Sequence, residues 1–337
     1  MVSTREALNG VRADLFDEHG ELPDDVESVP TRQGYGDALV ELGTRDERVV
    51  VLTGDLADST KVGAFRDQFP GRFFDLGVAE QNMMGVAAGL ALAGKIPFVS
   101  SYATFSPGRN WDQFRVSVAY TRANVKVAGA HSGLSVGPDG ATHQAMEDIA
   151  MVRALPNVVV VVPCDAEETR KATLAVTDLD GPAYLRFARN ATPLITSPDS
   201  PFTIGRATVV RNGDDVAIVA CGPLLVEAMR AAEILARDGI DARVVNNHTI
   251  KPLDEATLIA AAEQTGAVVT VEEHQVNGGL GGAVAELLAQ HHPVPMDIVG
   301  MPDHFGESGT PEELLARWGL TAEDIARRAA ILLRRKA

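Results

Sequence analysis

Short apolar runs of strand length alternate with longer stretches of helical spacing along most of this chain. That alternation restricts the fold more than any other feature. Runs at Val49–Thr53, Phe73–Leu76, Ile96–Ser100, Val125–Ala130 and Val158–Val162 are separated by helix-like segments such as Gln81–Ala93 and Asn110–Tyr120. Strand followed by crossover helix followed by strand implies a parallel sheet with helices on its faces. The valines of Asn157–Pro163 leave no polar face, which suits a strand buried on both sides.

The pattern breaks after Asn190. Residues 192–202 carry Pro193, Pro198 and Pro201 among serine, threonine and aspartate, which is linker chemistry. A second, smaller alternation follows, with strands at Val216–Ala220, Ala242–Val245, Ala267–Val271 and Pro295–Val299. Helices are expected between them at Leu224–Arg237, Asp254–Glu263 and Gly279–Gln290, and two more from Pro311, the second over Ala322–Arg335. The expected organisation is an acidic N-terminal extension (1–30), partly helical around Thr4–His19, then a first domain (31–191), a linker (192–213) and a second domain (214–337). The fold class is α/β, with two doubly wound domains and a mostly parallel sheet in the first.

Charge excludes some functions. With 30 basic and 46 acidic residues, the formal net charge is −16, so the chain is not expected to bind nucleic acid. The acidity reads as solubility. Cys164 and Cys221 sit in apolar strand-like contexts without metal-ligand spacing, which fits a reducing compartment. Residues 1–27 lack the apolar core of a signal peptide, and no stretch approaches the ~20 apolar residues that span a bilayer. A cytoplasmic location, away from membranes, is expected.

The most informative stretch runs from Phe74 through Asp-Leu-Gly-Val-Ala to Glu80, then Gln-Asn-Met-Met and a glycine- and alanine-rich helix ending at Gly94. A strand ends near Gly77 and a helix starts around Glu80, and open parallel sheets bind ligands at strand carboxyl ends. A carboxylate in a first helical turn is also favoured by the helix dipole alone. The following helix is apolar and small, with Gly85, Ala88 and Gly89 inside it. Each interior glycine costs up to ~1 kcal/mol against alanine, so another backbone is expected to pack closely there, as at a subunit interface.

The segment resembles the pyrimidine-domain motif of transketolases. In that family a glutamate, here Glu80, shares a proton with a ring nitrogen of the thiamine diphosphate aminopyrimidine and so favours the tautomer that activates the cofactor. Further blocks follow in the family's order. Ser101-Tyr-Ala-Thr-Phe105 places two aromatics just after a strand, a pattern that also serves core packing. The resemblance implies that Phe105, or else Tyr102, stacks on the aminopyrimidine, adding ~0.5–1.5 kcal/mol beyond burial.

Next comes a loop from Ala130 to Gln144 with glycines at 133, 137 and 140, where unusual backbone angles are expected. Two histidines and an aspartate can hold a metal, but the 12-residue spacing of the histidines argues against it. The loop resembles the transketolase segment that hydrogen-bonds sugar hydroxyls, with His131, Asp139 and His143 at its polar positions. Imidazoles supply donors, acceptors and a proton shuttle near neutrality, so His131 and His143 join Glu80 as expected catalytic residues. Arg32, Ser59 and Arg189, each unremarkable as a surface residue, fall where transketolases hold the phosphate of a sugar phosphate, and arginine forks suit that group.

The glycine-rich stretch Val271-Glu-Glu-His-Gln-Val-Asn-Gly-Gly-Leu-Gly-Gly282 lacks dinucleotide-fingerprint spacing. It resembles the C-terminal domain common to transketolases, deoxyxylulose-phosphate synthases and 2-oxoacid dehydrogenase β subunits, which mainly builds the dimer. His248 and His274 are therefore expected to be structural. The family's diphosphate motif, Gly-Asp-Gly with a later asparagine, holds a divalent ion on oxygen ligands. Neither Gly54-Asp55-Leu56 nor Gly213-Asp214-Asp215 matches it. The resemblance, covering about residues 31–334, thus implies the C-terminal subunit of a split transketolase that transfers a two-carbon ketol unit between sugar phosphates. A separate N-terminal subunit would hold the Mg2+ and the diphosphate, around a homodimer of this chain in an α2β2 assembly. A deoxyxylulose-phosphate synthase half, a dehydrogenase β subunit and a non-catalytic binding protein are the alternatives.

Overall fold

A computed structural model describes Val11, Leu15, Phe16, Leu22, Pro23 and residues 25–336 of the chain. Most of the helix expected over residues 4–19 lies outside the described residues, although Val11 and Leu15 are buried in the core of the second domain. The strands are β1 (Ser28–Pro30), β2 (Val49–Thr53), β3 (Phe73–Asp75), β4 (Ile96–Tyr102), β5 (Lys126–Ala130), β6 (Val159–Val161) and β7 (Ala183–Arg186). They continue as β8 (Ala191–Pro193), β9 (Thr208–Arg211), β10 (Val216–Ala220), β11 (Ala242–Asn246), β12 (Thr249–Lys251), β13 (Val268–Gln275) and β14 (Met296–Met301).

The first sheet has seven strands in the order β12-β6-β7-β5-β4-β2-β3, parallel except for β12. Side chains alternate across its two faces, as a strand period of two requires. Val50, Leu52, Val99 and Val127 meet Met83, Met84, Ala87 and Ala88 of the helix Glu80–Leu92. Val49, Val51, Phe98 and Leu185 meet Tyr35 and Leu39 of the helix Thr31–Arg45, and Ala172 and Val176 of the helix Ala166–Thr177. Both faces are covered, so the strands read as unbroken apolar runs.

Because β3 lies on one side of β2 and β4 on the other, the strand order reverses at β2. The second sheet runs β14-β13-β10-β11-β9, parallel except for the edge strand β9.

The stretch 192–213, read as linker, begins in β8 and contains β9, so the second sheet draws a strand from it. Its middle is tied down. The amides of Ile195 and Thr196 donate to the Asp165 carboxylate at 2.8 and 2.6 Å, and Lys171 Nζ reaches the carbonyls of Ser197 and Ser200. Conversely β12, from the C-terminal half, completes the edge of the first sheet. The helix expected over 110–120 is instead one α turn, Trp111–Gln113, followed by a π-helical run, Phe114–Tyr120. Apolar spacing does not separate these two pitches over so short a span.

Candidate active site

The expected site residues gather at the carboxyl ends of the first sheet's strands. Ser59 follows β2, Glu80 follows β3, Tyr102 ends β4, and Phe105 comes just after it. His131, Asp139 and His143 follow β5, and Arg189 follows β7. Arg32 opens the helix Thr31–Arg45. This is the crevice that a strand-order reversal creates in an open α/β sheet.

Glu80 is the first residue of its helix and is 1% exposed. Both of its carboxylate oxygens accept from Arg109 Nη1 at 2.9 Å, and its carbonyl accepts from Asn110 Nδ2 at 3.4 Å. Arg109 itself is 47% exposed and stands over the Phe105 ring, 4.5 Å from guanidinium carbon to ring centroid. Arg109 was not expected from sequence. The available signal was the need of a buried carboxylate for a cationic partner, together with an arginine in the turn after two aromatics.

Four rings assemble beside this pair. Tyr102 stacks on His131 at 3.9 Å between centroids and lies nearly parallel to Phe105 at 5.9 Å. His143 meets Phe105 edge-on at 5.4 Å, and its Nδ1 lies 2.9 Å from Thr142 Oγ1.

His131 adopts a left-handed backbone angle, φ 51°, and is 2% exposed, with a buried Nδ1 that has no hydrogen-bond partner. Burial, followed by the nearby charges of Arg32, Arg189 and His143, pushes its pKa down to about 3. A neutral imidazole at ordinary pH donates and accepts hydrogen bonds but is not charged. His131 therefore differs from the shuttle expected near neutrality, because desolvation and two guanidiniums oppose its protonation.

The cationic groups are held from the backbone. Arg32 Nη1 donates to the Ser59 carbonyl at 2.7 Å, so it is the Ser59 backbone that makes this contact. Burial and then the Arg189 charge push Arg32 downward, which places the two guanidiniums within electrostatic reach of each other. Arg189 Nη1 donates to the Val136 carbonyl at 3.0 Å and pairs with Asp139 at 3.5 Å. An anion between the two arginines would relieve their repulsion.

His248 and His274 lie buried outside the crevice. His274 Nδ1 donates to the Gln275 carbonyl at 2.8 Å and Nε2 accepts from the Ala150 amide at 3.3 Å, which leaves neither nitrogen free. The glycine-rich stretch before the helix Leu280–His291 is likewise occupied from within, since the Leu280 and Gly281 amides donate to Glu272 at 2.7 and 2.8 Å.

The arrangement fits one part of a cofactor site. A buried carboxylate under a half-exposed guanidinium, half-buried flat rings, and the unpaired buried Ser101 Oγ, Asn110 Oδ1 and His131 Nδ1 suit a polar heteroaromatic ring. Fold and site together define a two-domain α/β protein of the kind that binds a cofactor ring at a sheet's switch point. Residues 27–194 match the family model "Transketolase, pyrimidine binding domain", and residues 205–325 match "Transketolase, C-terminal domain". The chain is 46% identical over 300 residues to a putative transketolase C-terminal section of Methanocaldococcus jannaschii, covering 88% of this chain and 94% of that one. It is 45% identical over 305 residues to a 6-deoxy-6-sulfo-D-fructose transketolase subunit of Clostridium sp. (strain MSTE9), covering 90% and 95%. A solved structure described as a split gene transketolase, inactive beta4 tetramer, superposes with a TM-score of 0.86 at 48% identity, over 92% of this chain and 100% of that one. The chain belongs to the transketolase family, as the pyrimidine-binding and C-terminal domains of that fold.

Proposed function

We propose that this chain is the C-terminal (β) subunit of a split, thiamine-diphosphate-dependent transketolase, which moves a two-carbon ketol unit between sugar phosphates once a separate N-terminal subunit joins it. The observation that carries the reading is the buried Glu80 carboxylate, paired with an Arg109 that stands over Phe105, at the same strand ends where Tyr102 stacks on a His131 that feels the charges of Arg32 and Arg189. Relatives named as transketolase sections and subunits of nearly the same length support it.

Thiamine diphosphate, when bound, supplies the nucleophilic carbon. Glu80 would hold a proton at an aminopyrimidine nitrogen, and Arg109, which pairs with that carboxylate in this structure, borders the space the ring would take. Phe105 orients the ring by stacking, while Tyr102 backs His131. His131, neutral, would fix a sugar hydroxyl, and His143, edge-on to Phe105, would face the reacting end of the sugar. Arg32 and Arg189 bind the substrate phosphate, with the Ser59 segment seating Arg32. Asp139, now paired with Arg189, accepts from a hydroxyl.

Mg2+ and the diphosphate fall to the partner, because no Gly-Asp-Gly motif stands in this sequence. The outward face of the helix Glu80–Leu92 is assigned to a second copy of this chain, giving an α2β2 enzyme. Leu92 ends this helix exposed, Val78, Val116 and Tyr120 stand exposed in neighbouring segments, and among the described residues no atom outside the helix's own backbone lies within 4 Å of a Cβ built on Gly85 or Gly89.

Calorimetric titration tests the division of labour. The lone chain, given thiamine diphosphate and Mg2+, is expected to bind the cofactor weakly and transfer nothing. Adding the cognate N-terminal subunit should create binding and ketol transfer together. Robust activity of the lone chain would overturn the split assignment.

A further inference from the structure

The loop from His131 to Gln144 has little regular structure. It contains a 3-10 run, Leu134–Asp139, broken at Gly137 where φ is 76°. Yet it presents His131 and His143 and seats Arg189 through the Val136 carbonyl. A segment of this kind keeps a defined shape only if something outside it supplies the bonds. Much of that support comes from the second domain.

Glu273, on β13 and 3% exposed, turns its carboxylate into the loop. The Ser135 amide donates to one oxygen through a short bond, and Ser135 Oγ donates to the other at 3.1 Å. The approach is possible because residue 133 is glycine. A methyl group there would sit 2.6 Å from the Glu273 carboxyl carbon, and its φ of 84° disfavours any other residue.

Other second-domain atoms continue the support. The Glu307 carbonyl accepts from Gln144 Nε2 at 2.9 Å, and Ser308 Oγ would lie 2.6 Å from a methyl at Gly140. Buried Arg186 joins the two sides, donating to the carbonyls of Ala145 and Glu273 at 3.1 and 2.8 Å.

A buried carboxylate is costly unless its acceptors are used. The chemistry here uses them on the loop, since the Arg186 side chain is directed to Asp148, at 2.8 Å, and to backbone carbonyls. From Ser135 the chain of contacts runs both ways. Its carbonyl accepts from Asn190 Nδ2 at 2.9 Å, next to Arg189. Two residues upstream, the Gly133 amide closes on the Ala145 carbonyl at 3.0 Å, which fixes the turn that follows His131.

We propose that Glu273 is a positioning residue for the substrate pocket, holding from the second domain the loop that presents His131 and seats Arg189. The C-terminal domain thus shapes the sugar end of the site as well as the assembly. This rests on the transketolase reading for what the loop binds, but the hold on the loop is measurable without it.

The test compares Glu273→Ala, Glu273→Gln and Ser135→Ala. In the separated chain, hydrogen exchange of the amides at 134–137 should accelerate by about tenfold or more in Glu273→Ala, as expected for loss of a charge-assisted bond. It should stay close to wild type in Glu273→Gln, whose side-chain oxygen still accepts from the Ser135 amide. In the assembled enzyme, the sugar-phosphate KM should rise by about tenfold in Glu273→Ala, with cofactor affinity held and the glutamine variant restoring most of the loss. Unchanged exchange and KM in Glu273→Ala would overturn the proposal. So would a parallel loss of cofactor affinity, which marks a general structural role, or equal defects in the alanine and glutamine variants. If Glu273→Ala does not fold, Ser135→Ala removes one of the two bonds and is read by the same criteria. If the wild-type complex transfers no ketol unit, the functional reading fails, and the exchange arm alone decides whether Glu273 holds the loop.

Discussion

At Glu80, one residue carries both the sequence argument and the site. Its place at the start of a helix after a short strand was readable from the pattern alone. Its burial to 1% exposure and its pairing with Arg109 were not, because the two residues meet only through a sheet that sets β3 and β4 on either side of β2. Glu80→Gln preserves shape and the chance of one bond from Arg109 but cannot share a proton. The assembled complex should stay folded and, with cofactor saturating, lose ~10²–10⁴-fold in turnover, as removal of a proton-transfer group does. Turnover within a few-fold of wild type would remove Glu80 from the mechanism. His131 teaches the opposite lesson. Its chemistry as a free imidazole implied a shuttle, and only its surroundings, buried beside Arg32 and Arg189, keep it neutral.

Among the elements, the helix Glu80–Leu92 shows how composition points beyond the chain. Its inner face, Met83, Met84, Ala87 and Ala88, is buried against the sheet, and its glycines face outward. The glycine pattern predicts close packing on that face, and among the described residues the face is open at Gly85 and Gly89. Replacing both by leucine adds side chains where the described residues leave open space, and removes glycines that cost up to ~1 kcal/mol each in a helix. The variant should therefore remain folded and sediment as a monomer, its melting temperature falling only by what association contributes to the parent. A double variant that still dimerises would place the homodimer contact elsewhere.

Over the whole molecule, the two domains share more than a linker. Strand β12 crosses to the first sheet, and Asn246 at the end of β11 donates to Glu168 at 2.7 Å in the first domain. Glu168 also accepts from the Cys164 amide at 2.7 Å, and burial beside Asp165 pushes its pKa up to about 7. The folded chain thus retains a proton that the unfolded chain releases above the ordinary glutamate value of 4.5. The sign follows. Stability associated with this proton is complete at low pH and is lost as pH rises from about 4.5 through about 7. Glu168→Gln, neutral throughout, should gain on wild type across that window by up to about 1.4 kcal/mol per pH unit. Denaturant titrations at pH 5, 6, 7 and 8 measure it, and a difference that does not change with pH would show that Glu168 keeps no proton.

The sequence by itself determined the two α/β layers, the order of most strands and helices, and the positions from which Glu80, Phe105, His131 and Arg189 project. It did so because strand and helix periodicities and glycine punctuation are local, and because strand ends in a parallel sheet are where ligands go. Tertiary structure alone decided Arg109, the neutral state of His131, the exchange of β12 between halves and the grip of Glu273 on a loop 138 residues earlier in the chain. Each of these depends on distance through space and on the water excluded there. Neither quantity is a property of neighbouring letters.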